Sequence, residues 1–484
     1  MRIASIDQGT TSTRVLVLEN NGQLNIACSL AHKQFYPHEG WVEHDPEELI
    51  TNIRRCADAA GDVAAIGLDN QGESCLAWDS VSKQALSPVI VWQDNRTIEH
   101  IEQLRSDGVE CETLKRSGLP LDPYFSASKL GWIVKNIPAA KAAYSSGTLR
   151  LGTTDAFFLD RLTNRFATDI STASRTSLLN LTSLDWDEHL CEIFEVPMEC
   201  LPKIMATTGD FGVLETAHHH IPITASVVDQ QAALYGFGCR KKGDAKITFG
   251  TGAFALALTG GEVINKPDSG LLPTVAWQLE DQAPVYALDG GVYTASASVN
   301  WAKSLGLFTD FNQINAFATP PAFECGLVFV PALAGLGSPH WQPRARGAWL
   351  GLSLEHHSLQ LVQAILEGVA YRASEVIESI TASISASNAT TKGKITDSVD
   401  ALLIDGGMSN NPYFVQFLAN LTQREIRVSH MPDVTAIGAL KLASRALGKE
   451  VTPNADFTRV LPDSGADIST ERFKQAIAVS RNWQ

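Results

Sequence analysis

The chain reads as an α/β protein built in two halves around one cleft. Three observations predict this. Its 484 residues exceed what one ordinary core holds. Two apolar strand pairs carry a Gly/Thr turn at the tip, Asp7-Gln8-Gly9-Thr10-Thr11 and Gly250-Thr251-Gly252, about one domain apart. After each pair the pattern alternates between strand and helix, with no linker long enough to decouple the halves.

In order, Arg2 to Ile6 and Val15 to Leu18 flank the first turn, and Asn20-Asn21-Gly22 leads into a third strand, Leu24 to Ala31. Asp45-Pro46-Glu47-Glu48 starts a helix that runs to about Ala60. Val63 to Leu68 is a buried strand. Helical patterns dominate Asn95 to Leu201, clearest at Ser126 to Lys135 and Thr154 to Leu162. Gly238 to Gly243 marks the boundary, giving domains 1–240 and 241–484. The second half opens with Lys246 to Phe249, the glycine turn, and Ala253 to Leu258. A strand at Leu327 to Val330, a long helix from Ser358 to Ser385 and a strand at Ala401 to Ile404 follow.

Composition narrows the function. Apolar residues are 44% and charged residues 19%, as in soluble globular chains. A net charge of −15, spread along the chain, argues against nucleic acid and anionic membrane as partners. Any phosphate site must therefore be assembled locally from backbone amides, a metal and a few cations. The eight cysteines contain no C-x-x-C pair, which suits a reducing compartment. The early strand leaves no room for a signal peptide, and the uncharged run Cys325 to Pro343 is broken by glycine and proline. The expectation is a cytoplasmic soluble protein.

Four elements carry chemistry. In the first turn, hydroxyls and amides suit a nucleotide's terminal phosphates, and Asp7 at a strand end suits magnesium. The alternative is a hairpin whose polar side chains satisfy only their own backbone. Asp229 follows the apolar run Ser226-Val227-Val228 and begins a helix. It is either a helix cap or a base aimed from a strand's C-terminal end at a substrate hydroxyl. Gly250-Thr251-Gly252 is a second phosphate turn. Asp405-Gly406-Gly407 ends a strand before a helix start bearing Asn410, Asn411 and Pro412. Trp92, Tyr124 and Phe254 are core aromatics or faces for the C–H surface of a polyol. His218-His219-His220 reads as an exposed loop rather than a metal site, because consecutive side chains diverge.

The order of these segments resembles the FGGY carbohydrate kinases, and among them the glycerol kinases. The likeness lies in Asp7-Gln8-Gly9-Thr10-Thr11-Ser12, Gly40-Trp41-Val42-Glu43-His44-Asp45-Pro46, Ile90-Val91-Trp92-Gln93 and Asp122-Pro123-Tyr124-Phe125-Ser126. It continues through Ala173-Ser174-Arg175-Thr176, Asp229-Gln230-Gln231-Ala232-Ala233-Leu234, Gly335-Leu336-Gly337-Ser338-Pro339 and Asp405-Gly406-Gly407.

The resemblance implies two actin-like (ribonuclease H-like) ATPase domains around a central cleft. It implies ATP and Mg2+, a terminal hydroxyl of glycerol or a related small polyol or sugar as acceptor, Asp229 as general base, and a homodimer or homotetramer. Thr10, Thr11, Ser12 and Arg14 resemble the first phosphate loop, with Asp7 near the metal, and Thr251 the second. Asn300, Gly407 and Asn411 match the nucleotide side. Glu73, Trp92, Tyr124, Asp229, Gln230 and Phe254 match the polyol pocket.

Three departures stand out. Asn70-Gln71-Gly72-Glu73 replaces Asn-Gln-Arg-Glu, so Gly72 stands where an arginine contacts the acceptor. Asn300 stands for a glutamine, and Leu214 to Ile221 for a regulatory glycine-rich loop. Gly72 predicts a lengthened pocket that admits erythritol or threitol, unless another group such as Arg96 reaches in. Within the family the alternative is a ketopentose kinase. From another class it is an actin-like ATPase without a small acceptor, against which Asp229 and its aromatic neighbours argue.

Overall fold

The computed structural model describes residues 1–388, 401–431, 433–451, 457–466 and 468–483. Two mixed sheets organise it. The first contains β1 (Ile3–Gln8), β2 (Ser12–Leu18), β3 (Leu24–Ala31), β4 (Ile66–Asn70), β5 (Val213–Glu215) and β6 (His220–Val228), in the order β5-β6-β4-β1-β2-β3. The second contains β7 (Ala245–Phe249), β8 (Ala253–Gly260), β9 (Leu272–Trp277), β10 (Val285–Val292), β11 (Ala401–Gly406), β12 (Glu425–Ser429) and β13 (Phe457–Val460), in the order β9-β10-β8-β7-β11-β12-β13.

The two sheets share a plan. In each, an antiparallel hairpin closed by a glycine turn (β1/β2, β7/β8) is followed across the sheet by parallel strands (β4 and β6, β11 and β12). This is the duplicated actin-like arrangement. The matching registers also place Asp7 beside Asp69 and Thr248 beside Asp405 at corresponding strand ends.

Local sequence explains the elements. In α1 (Pro46–Ala60) the Asp45 side chain accepts from Glu47 N at 2.9 Å and proline occupies the first turn. Its buried Leu49, Ile50, Ile53, Ala57 and Ala60 recur at helical spacing and cover one face of the first sheet. The strand expected at Val63 to Leu68 is shifted to Ile66–Asn70. The stretch expected to be mainly helical does hold α2 (Ser126–Asn136) and α3 (Thr154–Thr163). It also contributes strand Leu149–Thr153, which joins Cys75–Asp79, Val89–Ile90 and Glu43–His44 in a four-stranded sheet. These strands are too short for a clear period-2 signal.

The other face of the first sheet is covered by late sequence. Helix α4 (Asp229–Gly236) leaves β6, and α5 (Val434–Ala446), from the second half, lies against β1, β4, β6 and α4. Ile3, Val227, Leu256, Ala439 and Leu440 belong to one cluster there, so the two halves share a core. Backbones approach closely: a Cβ on Gly438 would sit 1.8 Å from Ala232 O. No helix among the described residues is long and apolar enough to cross a membrane.

Candidate active site

Residues from both sheets line one cavity of about 170 Å3 in the cleft. Nine of the residues predicted from sequence meet in it: Thr10, Gly72, Glu73, Trp92, Tyr124, Asp229, Gln230, Thr251 and Phe254. Arg175, Gln231, Thr248 and Asp289 also line it and were not assigned a role by sequence reasoning.

Asp229 is the first residue of α4. The cap position is Val228, and the Asp229 carboxylate accepts from the adjacent Gln230 N–H at 2.6 Å. The helix-cap alternative therefore fails, and the side chain faces the cavity. Burial raises the Asp229 carboxyl above its ordinary value, opposed by the Gln230 amide and by Lys246. Lys246, fully buried on β7, donates to Gln230 Oε1 and, at 3.0 Å, to Thr248 Oγ1.

The pocket wall opposite is aromatic. Trp92 and Tyr124 meet edge to face at 5.7 Å, and Trp92 Nε1 donates to Thr10 Oγ1 at 3.1 Å. Buried Lys129 on α2 donates to the carbonyls of both Tyr124 (2.8 Å) and Trp92 (3.4 Å), fixing their spacing. Glu73 has a left-handed backbone (φ 59°), a strained conformation for a non-glycine residue. Its carboxyl is pushed up to about 7 by burial, against the pull of Arg175, whose Nε lies 2.7 Å from Glu73 Oε1.

At Gly72, which lines the cavity, the direction a side chain would take is obstructed. A Cβ there would meet Val228 Cγ2 at 2.8 Å, so the β-branched valine closes the wall. Arg96 does not reach in either. Its guanidinium is held by Glu43 (2.7 Å) and Asp94 (2.8 Å) and lies under the Trp41 ring. The guanidinium that faces the cavity is that of Arg175.

Thr11, Ser12, Arg14 and Asp7 stand beside the cavity rather than in its lining. Arg14 Nε donates to Ser12 Oγ at 3.2 Å, and Arg14 Nη1 pairs with Asp433 at 3.2 Å. Packing and the nearby Asp433 push the Asp7 carboxyl up to about 7. Asp69, fully buried against Asp7, finds no N–H or hydroxyl partner among the described residues. Carboxylates thus crowd the first turn with little cationic relief.

A second cavity, about 480 Å3, brings together Asn300, Gly407 and Asn411 with Ser296, Phe311 and Met408. Gly406 before it has φ 90°, and a Cβ would lie 2.3 Å from Phe249 O, so only glycine fits. The Asn411 side chain is already engaged, accepting from Phe414 N and donating to Ile314 O, both at 2.8 Å. His218 and His220 are exposed.

A two-domain actin-like fold with a glycine turn from each domain beside one carboxylate defines a class of ATP-using phosphotransferases. The chain belongs to the FGGY family of carbohydrate kinases, whose N-terminal domain model matches residues 2–236 and C-terminal domain model residues 245–447. It is 37% identical to glycerol kinase 1 of Pseudomonas aeruginosa over 459 residues, covering 92% of this chain and 90% of that one. It is 39% identical to the glycerol kinase of Alkalilimnicola ehrlichii, covering 95% and 94%. The Plasmodium falciparum glycerol kinase structure with ADP superposes with a TM-score of 0.89 at 30% identity, covering 100% and 98%. The protein is an ATP-dependent kinase.

Proposed function

We propose that the enzyme transfers the γ-phosphoryl group of ATP to a terminal hydroxyl of glycerol or a related small polyol, with Asp229 as general base. The observation that carries this reading is Asp229 in a cavity shared by Thr10, Thr251, Trp92 and Tyr124. A hydroxyl seated against the aromatic wall can give its proton to Asp229 as its oxygen attacks phosphorus. Residues 1–240 carry the acceptor side and first phosphate turn, and residues 241–484 the second turn and the adenine side, at Asn300 and Gly407. Backbone amides of the two turns donate to phosphate oxygens whose charge grows in the transition state.

The crowded carboxylates fit a divalent cation. Asp7, with Asp69 and Asp433 behind it, would hold magnesium through one or two oxygens, the remaining positions falling to water and ATP phosphates. When bound, Mg2+ supplies neutralisation of phosphate charge. The eight cysteines are unpaired, which supports a reducing, cytoplasmic setting.

The test is ADP release by the full chain with MgATP and glycerol, erythritol, threitol, dihydroxyacetone or pentuloses. Release dependent on a polyol is expected. Acceptor-independent hydrolysis with every compound would overturn the reading.

A further inference from the structure

Two charged groups in the cavity wall have no task in the reaction as described. Arg175 follows the short helix Ile170–Ala173, and Asp289 sits in the middle of the otherwise apolar strand β10. Both line the cavity that holds Asp229, and their side chains are 4% and 8% exposed. Arg175 Nε reaches Glu73 at 2.7 Å and Nη2 reaches Asp289 Oδ2 at 3.0 Å.

Among the described residues, each group keeps one buried atom without a hydrogen-bond partner, Nη1 of Arg175 and Oδ1 of Asp289. Unmatched buried polar atoms are uncommon and costly, so they call for a partner. The two atoms are complementary, one a donor and the other an acceptor. A hydroxyl is the small neutral group that satisfies both, accepting from the guanidinium and donating to the carboxylate.

Hydroxyl counting then sets a lower limit on the acceptor. One hydroxyl must face Asp229. Glu73 and Tyr124 offer contacts for the next two, and the Arg175–Asp289 pair remains for a fourth. Charge sets a second limit. Glu73, Asp229 and Asp289 line the cavity against a single lining cation, Arg175, which disfavours an anionic acceptor such as a sugar acid.

We infer that Arg175 and Asp289 are specificity-determining residues that bind an acceptor hydroxyl remote from the one phosphorylated, and that the acceptor is a neutral polyol of four or more carbons. This rests on the polyol-kinase reading above and adds a substrate class to it.

The experiment compares kcat/KM for glycerol, erythritol, threitol and xylitol in the wild type, Asp289→Ala and Asp289→Asn. The wild type should favour a longer polyol over glycerol by at least about tenfold. Asp289→Ala should lower that ratio by about tenfold, with Asp289→Asn between. Because a variant could fold poorly, the wild type is also titrated with erythritol and glycerol beside a non-hydrolysable ATP analogue, by isothermal titration calorimetry. A tetritol should bind more tightly. Wild-type preference for glycerol in both assays, or a ratio unmoved in both folded variants, overturns the inference and leaves the kinase reading intact. ADP release with no polyol at all overturns both.

Discussion

Lys246, on the second sheet, donates to the side chain of Gln230, the residue after Asp229 on the helix leaving the first sheet. One fully buried cation therefore links the strand before the second phosphate turn to the start of the base's helix. Its charge acts on Asp229, Asp289 and Asp405 alike.

That link predicts a pH effect. Burial raises the Asp229 carboxyl and Lys246 lowers it, so removing the cation must raise it further. The base works when ionised, so the acid limb of the kcat/KM–pH profile should move to higher pH in Lys246→Met. An unmoved limb would separate Lys246 from the base.

Asp229→Asn should lose at least about 10²-fold in turnover while still binding ADP, measured by calorimetry and ADP release. Near-normal turnover would remove Asp229 from the chemistry.

Chelation should abolish activity, and added magnesium should restore it. In Asp7→Asn the magnesium concentration for half-maximal rate should rise by about tenfold, because one negative ligand is lost. The same magnesium curve in variant and wild type would place the ion elsewhere.

Gly72→Arg should not simply restore a glycerol kinase pocket. Its Cβ collides with Val228, and overpacking of this kind costs about 1–3 kcal/mol. Thermal unfolding should show the loss, and Val228→Ala in the same chain should recover most of it. A single variant as stable as wild type would mean that the valine yields easily.

Gly438→Ala places a methyl 1.8 Å from Ala232 O and should destabilise by about 3 kcal/mol or more. Gly261→Ala, with open space around it, should stay within about 0.5 kcal/mol. Equal melting temperatures for the two variants would refute the close crossing of α4 and α5.

Asp229 and the two glycine turns were legible because each sits in a local pattern, an apolar strand ending in turn or helix-start residues. Arg175, Asp289 and Lys246 were not, because their partners are remote: Arg175 and Glu73 are 102 positions apart. A signal existed all the same. Asp289 in Val285–Val292 and Lys246 in Ala245–Phe249 are single charges inside apolar strands, and a buried charge requires a counter-charge. Gly72 misled for the converse reason. A missing side chain suggested added pocket length, whereas the direction a side chain would take there is obstructed by Val228.

The placement of α5 bears on how the polypeptide is made. The strands β1, β4 and β6 are complete once residue 228 has been synthesised, yet the helix that covers one of their faces ends at Ala446. Throughout translation of the second half, Ile3, Val227 and their neighbours have no α5 to bury them. Until α5 emerges, part of that apolar face lacks its final cover, the kind of exposed surface that makes a nascent domain prone to aggregate. A chain released before residue 434 should aggregate rather than persist as an independent N-terminal domain.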